Sequence, residues 1–295
     1  LCINEHAYAR KLLYRFSTNL KMRLLAPKTV VSDAFFRRAL MADSLTWAIG
    51  APKTYVSYPY ISERTRSEFT YYLSLATDVI DTGLYPIHEL DRHAAFISYF
   101  CFEPVKALPP VLNWRDKTPN IPVGKPYVVL NPGSNEYGRR WPLKDYVFLS
   151  KWLVTKNVRV VFVGRVDEKA KVDLIKEVAI DQNIIDMTGK TNLPELMDIL
   201  NFATLVVSND TGPMHLAIGL GTPTVAIIGG GHFGSFVPYP KEATPNTARF
   251  IYQRMDCYHC FWRCPKREDP GESFPCVAGV TQDQVQAACL ELLSE

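Results

Sequence analysis

Hydrophobic and polar residues form long alternating blocks in the second half of the chain. Five apolar runs have the length of buried β-strands: 127–133, 158–164, 183–189, 204–210 and 222–229. Four stretches with helical periodicity separate them: 143–156, 168–181, 192–203 and 213–221. Strands that alternate with helices over short loops are typical of a parallel sheet covered by helices on both faces. The pattern therefore predicts a Rossmann-like α/β domain.

The first hundred residues show a weaker pattern. Positions near a 3.6-residue period predict a helix there: Phe36, Leu40, Met41, Ser44 and Trp47. Clear strand signals are scarce in this part. A later run dense in proline favours an extended linker. We therefore expect an N-terminal domain over 1–112, a Pro-rich linker over 113–126 and a C-terminal domain over 127–295.

Composition narrows the class of protein. The 295 residues are 47% hydrophobic and 21% charged, which is ordinary for a soluble globular protein. A formal net charge of +3 does not favour a nucleic-acid partner. The chain has neither a long apolar run nor the pattern of a signal peptide. We expect a cytoplasmic protein, and peripheral contact with the inner face of a membrane stays open.

The loop after the first buried run carries groups suited to an anion. Ser134 and Asn135 offer hydrogen-bond donors, and Arg139 adds positive charge beside them. Gly133 permits a close approach of the backbone to a ligand. The alternative is a plain strand-to-helix turn, with Pro142 in the first turn of the next helix.

A second polar turn follows the strand over 204–210. It consists of Asp210, Thr211, Gly212, Pro213, Met214 and His215. Aspartate and threonine are helix-capping types, and the backbone amides that follow them lie at the positive end of a helix dipole, which attracts an anion. The alternative is that Asp210 only caps a buried helix. His215 has apolar neighbours and is expected to be a packed core residue, with contact to a phosphate as its alternative.

Two further loops carry weaker patterns. Gly164 ends a strand, and Asp167 and Glu168 follow it with carboxylates suited to a helix N-terminus or to ribose hydroxyls. Thr188 follows another strand, and the run 192–195 resembles a capping box. Ligands bind beyond the carboxyl ends of the strands in an open parallel sheet, so these loops are candidates for the same site.

Four of the seven cysteines form a cluster near the C-terminus. Cys257, Cys260, Cys264 and Cys276 have the spacing C-x2-C-x3-C-x11-C. Four thiolates at this spacing suit a tetrahedral structural site for zinc or iron. The alternative is a set of reduced thiols packed with Tyr258, Phe261 and Trp262.

Four segments closely resemble the pattern of glycosyltransferase family 9, the bacterial heptosyltransferases. They are NPGSNEYGRRWP at 131–142, the strand ending at Gly164, DMTGKTNLPEL at 186–196 and SNDTGPMHLAIGLGTPTVAIIG at 208–229. The resemblance covers residues 110–295 strongly and the earlier residues faintly. It implies a GT-B architecture, in which two Rossmann-like domains face each other across a cleft.

The same resemblance implies donor-binding roles for residues of these loops. Contacts to the diphosphate or the sugar are implied for one group: Ser134, Asn135, Arg139, Asp210, Thr211, Gly212, Pro213, Met214 and His215. Contacts to the adenine and ribose are implied for a second group: Gly164, Met187, Thr188, and Asp167 or Glu168. A related cysteine cluster recurs in parts of the family.

The resemblance implies transfer of a sugar, typically heptose from ADP-heptose, to a lipopolysaccharide core or related glycan. It implies that catalysis needs no metal or other cofactor. The family's expected general base is an aspartate in a Gly-Asp turn after the first strand, and no such turn is present here. We therefore assign no catalytic base and expect an incomplete N-terminal domain.

Two other functions are alternatives to sugar transfer. A non-catalytic nucleotide-sugar-binding or assembly protein of the same fold is the main alternative, because the base is missing. An NAD-dependent oxidoreductase is disfavoured, because the first predicted strand of the Rossmann-like domain, 127–133, is not followed by the G-x-G-x-x-G pattern.

Overall fold

The computed structural model describes residues 3–121, 126–165 and 182–294. The chain divides into two compact units, Leu1–Ala107 and Leu108–Glu295. This division lies before the predicted linker, whose first residues pack on the second unit. The Trp114 indole and the Arg115 guanidinium both donate to the Asp198 carboxylate, at 2.8 Å and 2.6 Å.

The first unit contains a parallel sheet, so the expectation that strands are scarce there is wrong. Its strands pair in the order β1 (Thr29–Ser32), β2 (Lys53–Ser57) and β3 (Asp78–Ile80). The described helices of this unit are α1 (Glu5–Arg10), α2 (Leu12–Leu24), α3 (Ala42–Ile49), α4 (Arg66–Leu73) and α5 (Glu89–Cys101). The strands are short and only partly buried, which explains their weak sequence signal.

The helix predicted around residues 36–47 is shorter than expected. Helix α3 begins at Ala42, and residues 35–41 form bends and turns. Arg37 explains the difference, because its guanidinium donates to the Asp43 carboxylate at 2.8 Å and to the Ser57 carbonyl at 2.8 Å. Phe36, Leu40 and Trp47, expected on the apolar face, are exposed.

The second unit contains a six-stranded parallel sheet. Its order is β6-β5-β4-β7-β8-β9, with bounds β4 Tyr127–Asn131, β5 Arg159–Phe162, β6 Ile184–Asp186, β7 Leu205–Asn209, β8 Thr224–Ile227 and β9 Ala248–Ile251. The described helices are α6 (Leu143–Thr155), α7 (Leu193–Asn201), α8 (Gly212–Gly219), α9 (Pro275–Ala278) and α10 (Gln282–Ser294). This is the doubly wound strand order 3-2-1-4-5-6 of a Rossmann-like domain, the class that the sequence predicts. Its sixth strand, β9, is not among the five predicted strands.

Both faces of this sheet are buried. Val128 and Leu130 of β4 pack into one apolar cluster with helices α6 and α10. Tyr127 and Val129 point to the opposite face and pack with helices α7 and α8. Every residue of β4 and β7 is buried, so the carboxyl ends of these strands form a firm base for the loops that follow.

Strands β4 and β7 are neighbours at the point where the strand order reverses. Leu130 pairs with Val207 and Asn131 with Ser208, so both strands end at the same level. The loop after β4 and the turn before α8 therefore start side by side. The described part of the chain contains no helix long and apolar enough to cross a membrane.

Candidate functional site

A cleft of about 1290 Å³ opens at the carboxyl edge of the six-stranded sheet. It is lined by loops that follow β4 to β8 and by one residue of the Cys-rich segment, which runs from Cys257 to Cys276. The lining residues are Asn131, Gly133, Ser134, Asn135, Arg139, Val163, Gly164, Arg165, Gly189, Thr191, Asn192, Leu193, Leu196, Asp210, Thr211, Gly212, Pro213, His215, His232, Phe236 and Trp262. A cleft at the switch point of such a sheet is the usual ligand site of this fold.

Two buried asparagines join the loops after β4 and β7. The Asn209 amide nitrogen donates to the Pro132 carbonyl at 2.9 Å, and its oxygen accepts from the Trp141 amide at 3.0 Å. The Asn131 amide nitrogen donates to the hydroxyls of Ser208 and Thr211, both at 2.9 Å. The two loops are therefore held together before any ligand binds.

Arg139 is the cation at the junction of these loops. Its Nη2 donates to the Asp210 carbonyl at 2.6 Å and to the Asp210 carboxylate at 2.8 Å. Its guanidinium carbon lies 4.5 Å from the centroid of the Trp262 ring. The neighbouring Arg140 is directed elsewhere, because its Nε donates to the Ser134 carbonyl at 2.9 Å.

Three buried polar atoms of the predicted site have no hydrogen-bond partner among the described residues. They are Ser134 Oγ, Arg139 Nε and Thr188 Oγ1. Buried donors and acceptors are almost always paired in proteins, so these atoms mark places where a ligand or water would bond. Ser134 and Arg139 line the cleft.

Helix α8 starts at the floor of the cleft. Thr211 is its N-cap residue and makes no side-chain capping bond. The Asp210 carboxylate instead accepts a hydrogen bond from the Arg139 guanidinium. The alternative that Asp210 only caps this helix is therefore wrong. A Cβ at Gly212 would meet no atom within 4 Å, which leaves space for a ligand at the helix end. Met214 is fully buried and lies behind this surface.

His215 is both packed and open to the cleft. Its Nδ1 lies 2.7 Å from the Tyr239 hydroxyl, and the two rings stack with centroids 5.8 Å apart. Burial raises the pKa of Tyr239 to about 12, so the phenol keeps its proton. His215 Nε2 lies 3.8 Å from an Asp210 carboxylate oxygen. The expectation that His215 is a core residue is therefore wrong, because its side chain is 36% exposed, and its contact with a phosphate stays a prediction.

The loops after β5 and β6 form the other end of the cleft. Arg165 Nη1 donates to the Asn135 side-chain oxygen at 3.0 Å, which joins the loops after β4 and β5. The predicted capping box is present, because Glu195 N donates to Asn192 Oδ1 at 3.0 Å and Asn192 N donates to Glu195 Oε2 at 2.8 Å. Asp167, Glu168 and the helix predicted over 168–181 lie outside the described residues.

A family comparison agrees with this geometry. The family model described as glycosyltransferase family 9 (heptosyltransferase) matches residues 109–262, more than half of the chain. The chain belongs to glycosyltransferase family 9. The resemblance read from the sequence motifs is thereby confirmed.

Individual relatives match shorter parts of this family 9 chain. A lipooligosaccharide heptosyltransferase 2 of Haemophilus influenzae is 31% identical over 110 residues, which cover 36% of this chain and 32% of that protein. The lipopolysaccharide heptosyltransferase 2 of Escherichia coli is 30% identical over 110 residues, 36% of this chain and 31% of that protein. The aligned segment thus spans about a third of the length of these relatives.

Solved structures match more of the chain. A glycosyl transferase family 9 protein from Veillonella parvula has a TM-score of 0.69 at 20% identity, covering 95% of this chain and 78% of its own. E. coli ADP-heptose LPS heptosyltransferase II has a TM-score of 0.62 at 19% identity, and the match covers 94% of this chain and 79% of that one. E. coli heptosyltransferase WaaC with ADP-2-deoxy-2-fluoro heptose has a TM-score of 0.61 at 14% identity, and the match covers 97% of this chain and 80% of that one. The predicted GT-B fold class is confirmed.

In this family 9 chain the cleft brings together most of the predicted donor-binding residues. Those that line it are Ser134, Asn135, Arg139, Gly164, Asp210, Thr211, Gly212, Pro213 and His215. Met187, Thr188 and Met214 are not part of its lining, and Met187 packs against the core. The ligand contacts themselves stay predictions.

One wall of the cleft was not predicted from the sequence. His232 and Phe236 follow β8, and Trp262 comes from the Cys-rich segment. Burial, and then the charge of Arg139, lowers the pKa of His232. A usable signal was present, because the glycines at 229–231 follow a buried strand just as Gly133 does.

The four cysteines of the cluster have no disulfide bonds. Cys257, Cys260 and Cys264 are partly exposed, and Cys276 is buried. Tyr258 packs against the core beside them, as in the alternative of reduced, packed thiols. Among the described residues, no group of three or more His, Cys, Asp or Glu is placed to hold a metal ion. The metal site stays a prediction.

Proposed function

We propose that this protein is a glycosyltransferase that moves heptose from ADP-heptose to a lipopolysaccharide core or a related glycan. The observation that carries the proposal is the Arg139 guanidinium at the switch point of the sheet, held by Asp210 with its Nε unpartnered among the described residues. The family and the names of its relatives support heptose as the sugar.

The diphosphate of the donor would lie between the loop after β4 and the start of α8. Arg139 supplies positive charge there, and Ser134 Oγ supplies an unused hydrogen-bonding group. The dipole of α8 adds partial positive charge at Gly212. These groups converge from two loops on one small volume, which suits two linked phosphates better than a single neutral ligand.

The nucleoside would extend toward β5 and β6. Gly164 and Gly189 line this end without side chains, the Gly189 amide donating to the Gly164 carbonyl at 2.9 Å. Leu193 and Leu196 give the cleft an apolar side. An aromatic base buries its faces against such a surface, while the ribose can reach backbone groups. We place ADP in this orientation because Arg139 and the start of α8 lie at the opposite end of the cleft, while the Arg165 guanidinium at this end donates to Asn135.

The residues on the diphosphate would serve the reaction by stabilising the leaving group. The bond from the anomeric carbon to the diphosphate oxygen breaks, and its electron pair leaves with the diphosphate. A bond forms from the anomeric carbon to the acceptor oxygen, whose proton passes to a base that we do not assign. Arg139 and the Gly212 amide would stabilise the charge that develops on the leaving oxygen, without a metal ion. The next amides of α8 do not contribute, because Pro213 has no N–H and the Met214 amide donates to the Thr211 carbonyl at 3.1 Å.

Donor binding and transfer are tested separately. We would titrate ADP, UDP and GDP into the protein by calorimetry, and follow ADP release from ADP-heptose with lipopolysaccharide core as acceptor. We expect ADP to bind best and to be released only with acceptor present. Ser134→Ala should weaken ADP binding about tenfold or more, since a hydrogen bond to a charged group contributes about 1.5–3 kcal/mol. Ser150 is a buried serine on α6, so Ser150→Ala is the matched control and should leave ADP binding unchanged.

The outcomes distinguish the two functions. Failure to bind any nucleotide diphosphate would overturn the proposal. Donor binding without turnover would instead favour a non-catalytic nucleotide-sugar-binding protein. Fractionation of cells would test whether the protein works at the inner face of the membrane, where a lipopolysaccharide acceptor would be met.

The structural metal is a separate part of the proposal. The spacing of Cys257, Cys260, Cys264 and Cys276 supports zinc or iron there, with no role in the transfer itself. Elemental analysis of the purified protein tests it. Less than about half a metal ion per chain would reject the site.

A further inference from the structure

Trp262 lies between the Cys-rich segment and the cation of the cleft. The Arg139 guanidinium carbon is 4.5 Å from the centroid of its ring. The Phe274 ring stacks on Trp262 with centroids 5.7 Å apart and an angle of 19° between the planes. The indole is therefore fixed by Phe274 while it also supports Arg139.

The backbone around Trp262 is built to bring this ring close to the sheet. The Phe261 amide donates to the Gly231 carbonyl at 2.9 Å, and the His259 amide donates to the Gly230 carbonyl at 2.8 Å. A Cβ at Gly231 would lie 2.2 Å from the Trp262 ring, so only glycine permits this approach. Trp262 itself has φ +60°, a left-handed conformation that tryptophan rarely adopts.

Phe274 links the ring to the turn that carries Arg139. The Phe274 amide donates to the Gly138 carbonyl at 2.7 Å. A Cβ at Gly138 would lie 2.7 Å from the Phe274 ring, so these two segments of the chain are in close contact. One residue thus supports both the backbone before Arg139 and the ring next to its guanidinium.

The other contacts of Arg139 do not fully fix the orientation of its guanidinium. Asp210 accepts from Nη2 only, through its carbonyl and its carboxylate. A single nitrogen held in this way allows the planar guanidinium to turn about that contact. The ring of Trp262 restricts the turn, because a cation–π contact favours one position of the guanidinium over the ring.

We infer that Trp262 is a positioning residue for Arg139, and that the Cys-rich segment is thereby part of the donor-binding site. The inference rests on the proposed binding of a nucleoside diphosphate in this cleft. Trp262 acts through Arg139: it presents the guanidinium to the diphosphate in the orientation that binding needs.

The test compares variants of Trp262 by ADP titration in the full chain. Trp262→Phe keeps an aromatic face and should weaken ADP about twofold, while Trp262→Leu should weaken it about tenfold. Trp262→Met, which fills the volume with a flexible chain, gives a second non-aromatic variant if Trp262→Leu does not fold. Trp152→Leu is the control, because Trp152 faces Lys156 on α6, outside the cleft lining, and should not change ADP affinity.

A double-mutant cycle separates positioning from general loss of structure. If Trp262 acts through Arg139, Trp262→Leu should add less than about a twofold further loss to Arg139→Met. A purely structural role would lower affinity by the same factor in both backgrounds and would overturn the inference. Normal ADP affinity in Trp262→Leu would overturn it as well. If the wild-type protein does not bind ADP, both the proposed function and this inference about Trp262 are overturned.

Discussion

Each unit of the chain has an arginine bonded to carboxylate, and the two arginines serve different purposes. Arg92 of α5 is fully buried and bonded to both Asp33 and Glu89. Arg139 lines the cleft with its side chain 24% exposed, and within the described ranges its one carboxylate partner is Asp210. Burial disfavours the charge of Arg92, but the bonds to Glu89 and then Asp33 outweigh it and raise its pKa.

The difference lies in how much bonding capacity remains for a ligand. Two carboxylates neutralise Arg92 within the protein, so its charge serves the fold. Arg139 keeps an unpartnered Nε among the described residues and lies over an aromatic ring. A cation that is fixed but not fully neutralised is what an anionic ligand requires. Each arginine can be tested for the role that its surroundings assign to it.

The largest expected effect is on stability, from Arg92→Met. The change leaves Asp33 and Glu89 without their buried cation, so we expect a loss of about 3–5 kcal/mol in the free energy of unfolding. Urea unfolding would measure it. Arg38→Met, an exposed arginine of the same unit, should cost less than about 0.5 kcal/mol. Equal losses for the two variants would contradict the structural role of Arg92.

Arg139→Met should lower both ligand affinity and stability. We expect ADP affinity to fall about 10- to 100-fold, because a charge-assisted hydrogen bond to the diphosphate is lost. The midpoint of urea unfolding should also fall, because the Asp210 side chain is only 10% exposed and loses its cation. Arg263→Met, at an exposed arginine of the Cys-rich segment, is the matched control for affinity. A large loss of stability without loss of affinity would show that Arg139 resembles Arg92 after all.

Gly212→Ala should affect the cleft alone. The added methyl group meets no protein atom within 4 Å, so the unfolding midpoint should stay unchanged. It would occupy space at the start of α8, and we expect ADP to bind about three- to tenfold more weakly. Gly221→Ala, which also meets no atom within 4 Å, has a φ of +77° and should lower stability instead. Unchanged ADP affinity in Gly212→Ala would place the diphosphate elsewhere.

The smallest expected effect is a pH dependence from His232. Burial, and then the charge of Arg139, lowers the pKa of this imidazole in the folded protein. The unfolded chain therefore binds the proton more readily, and stability falls as pH drops below about 6.5, the ordinary value, toward the lowered pKa. His232→Asn should reduce this loss between pH 7 and pH 5 in thermal unfolding. The same change at exposed His6 should leave the acid profile as in the wild type.

The elements of the second unit were predictable because their burial is continuous. β4 and β7 lie inside the sheet and are buried on both faces, so their sequences read as apolar runs with polar residues directly after them. The strands of the first unit gave no such signal. β1 alternates between exposed and partly buried positions and is four residues long.

The sequence by itself determined the α/β class of the second unit, the polar loops after its strands and the residue types that suit a diphosphate. These are local properties, since burial period and turn chemistry act over a few residues. Tertiary structure alone decided that Asp210 pairs with Arg139 rather than capping α8, and that Trp262 lies over the same guanidinium. Those contacts join residues about 70 and 120 positions apart, and they depend on the order of strands in the sheet, which no local pattern encodes.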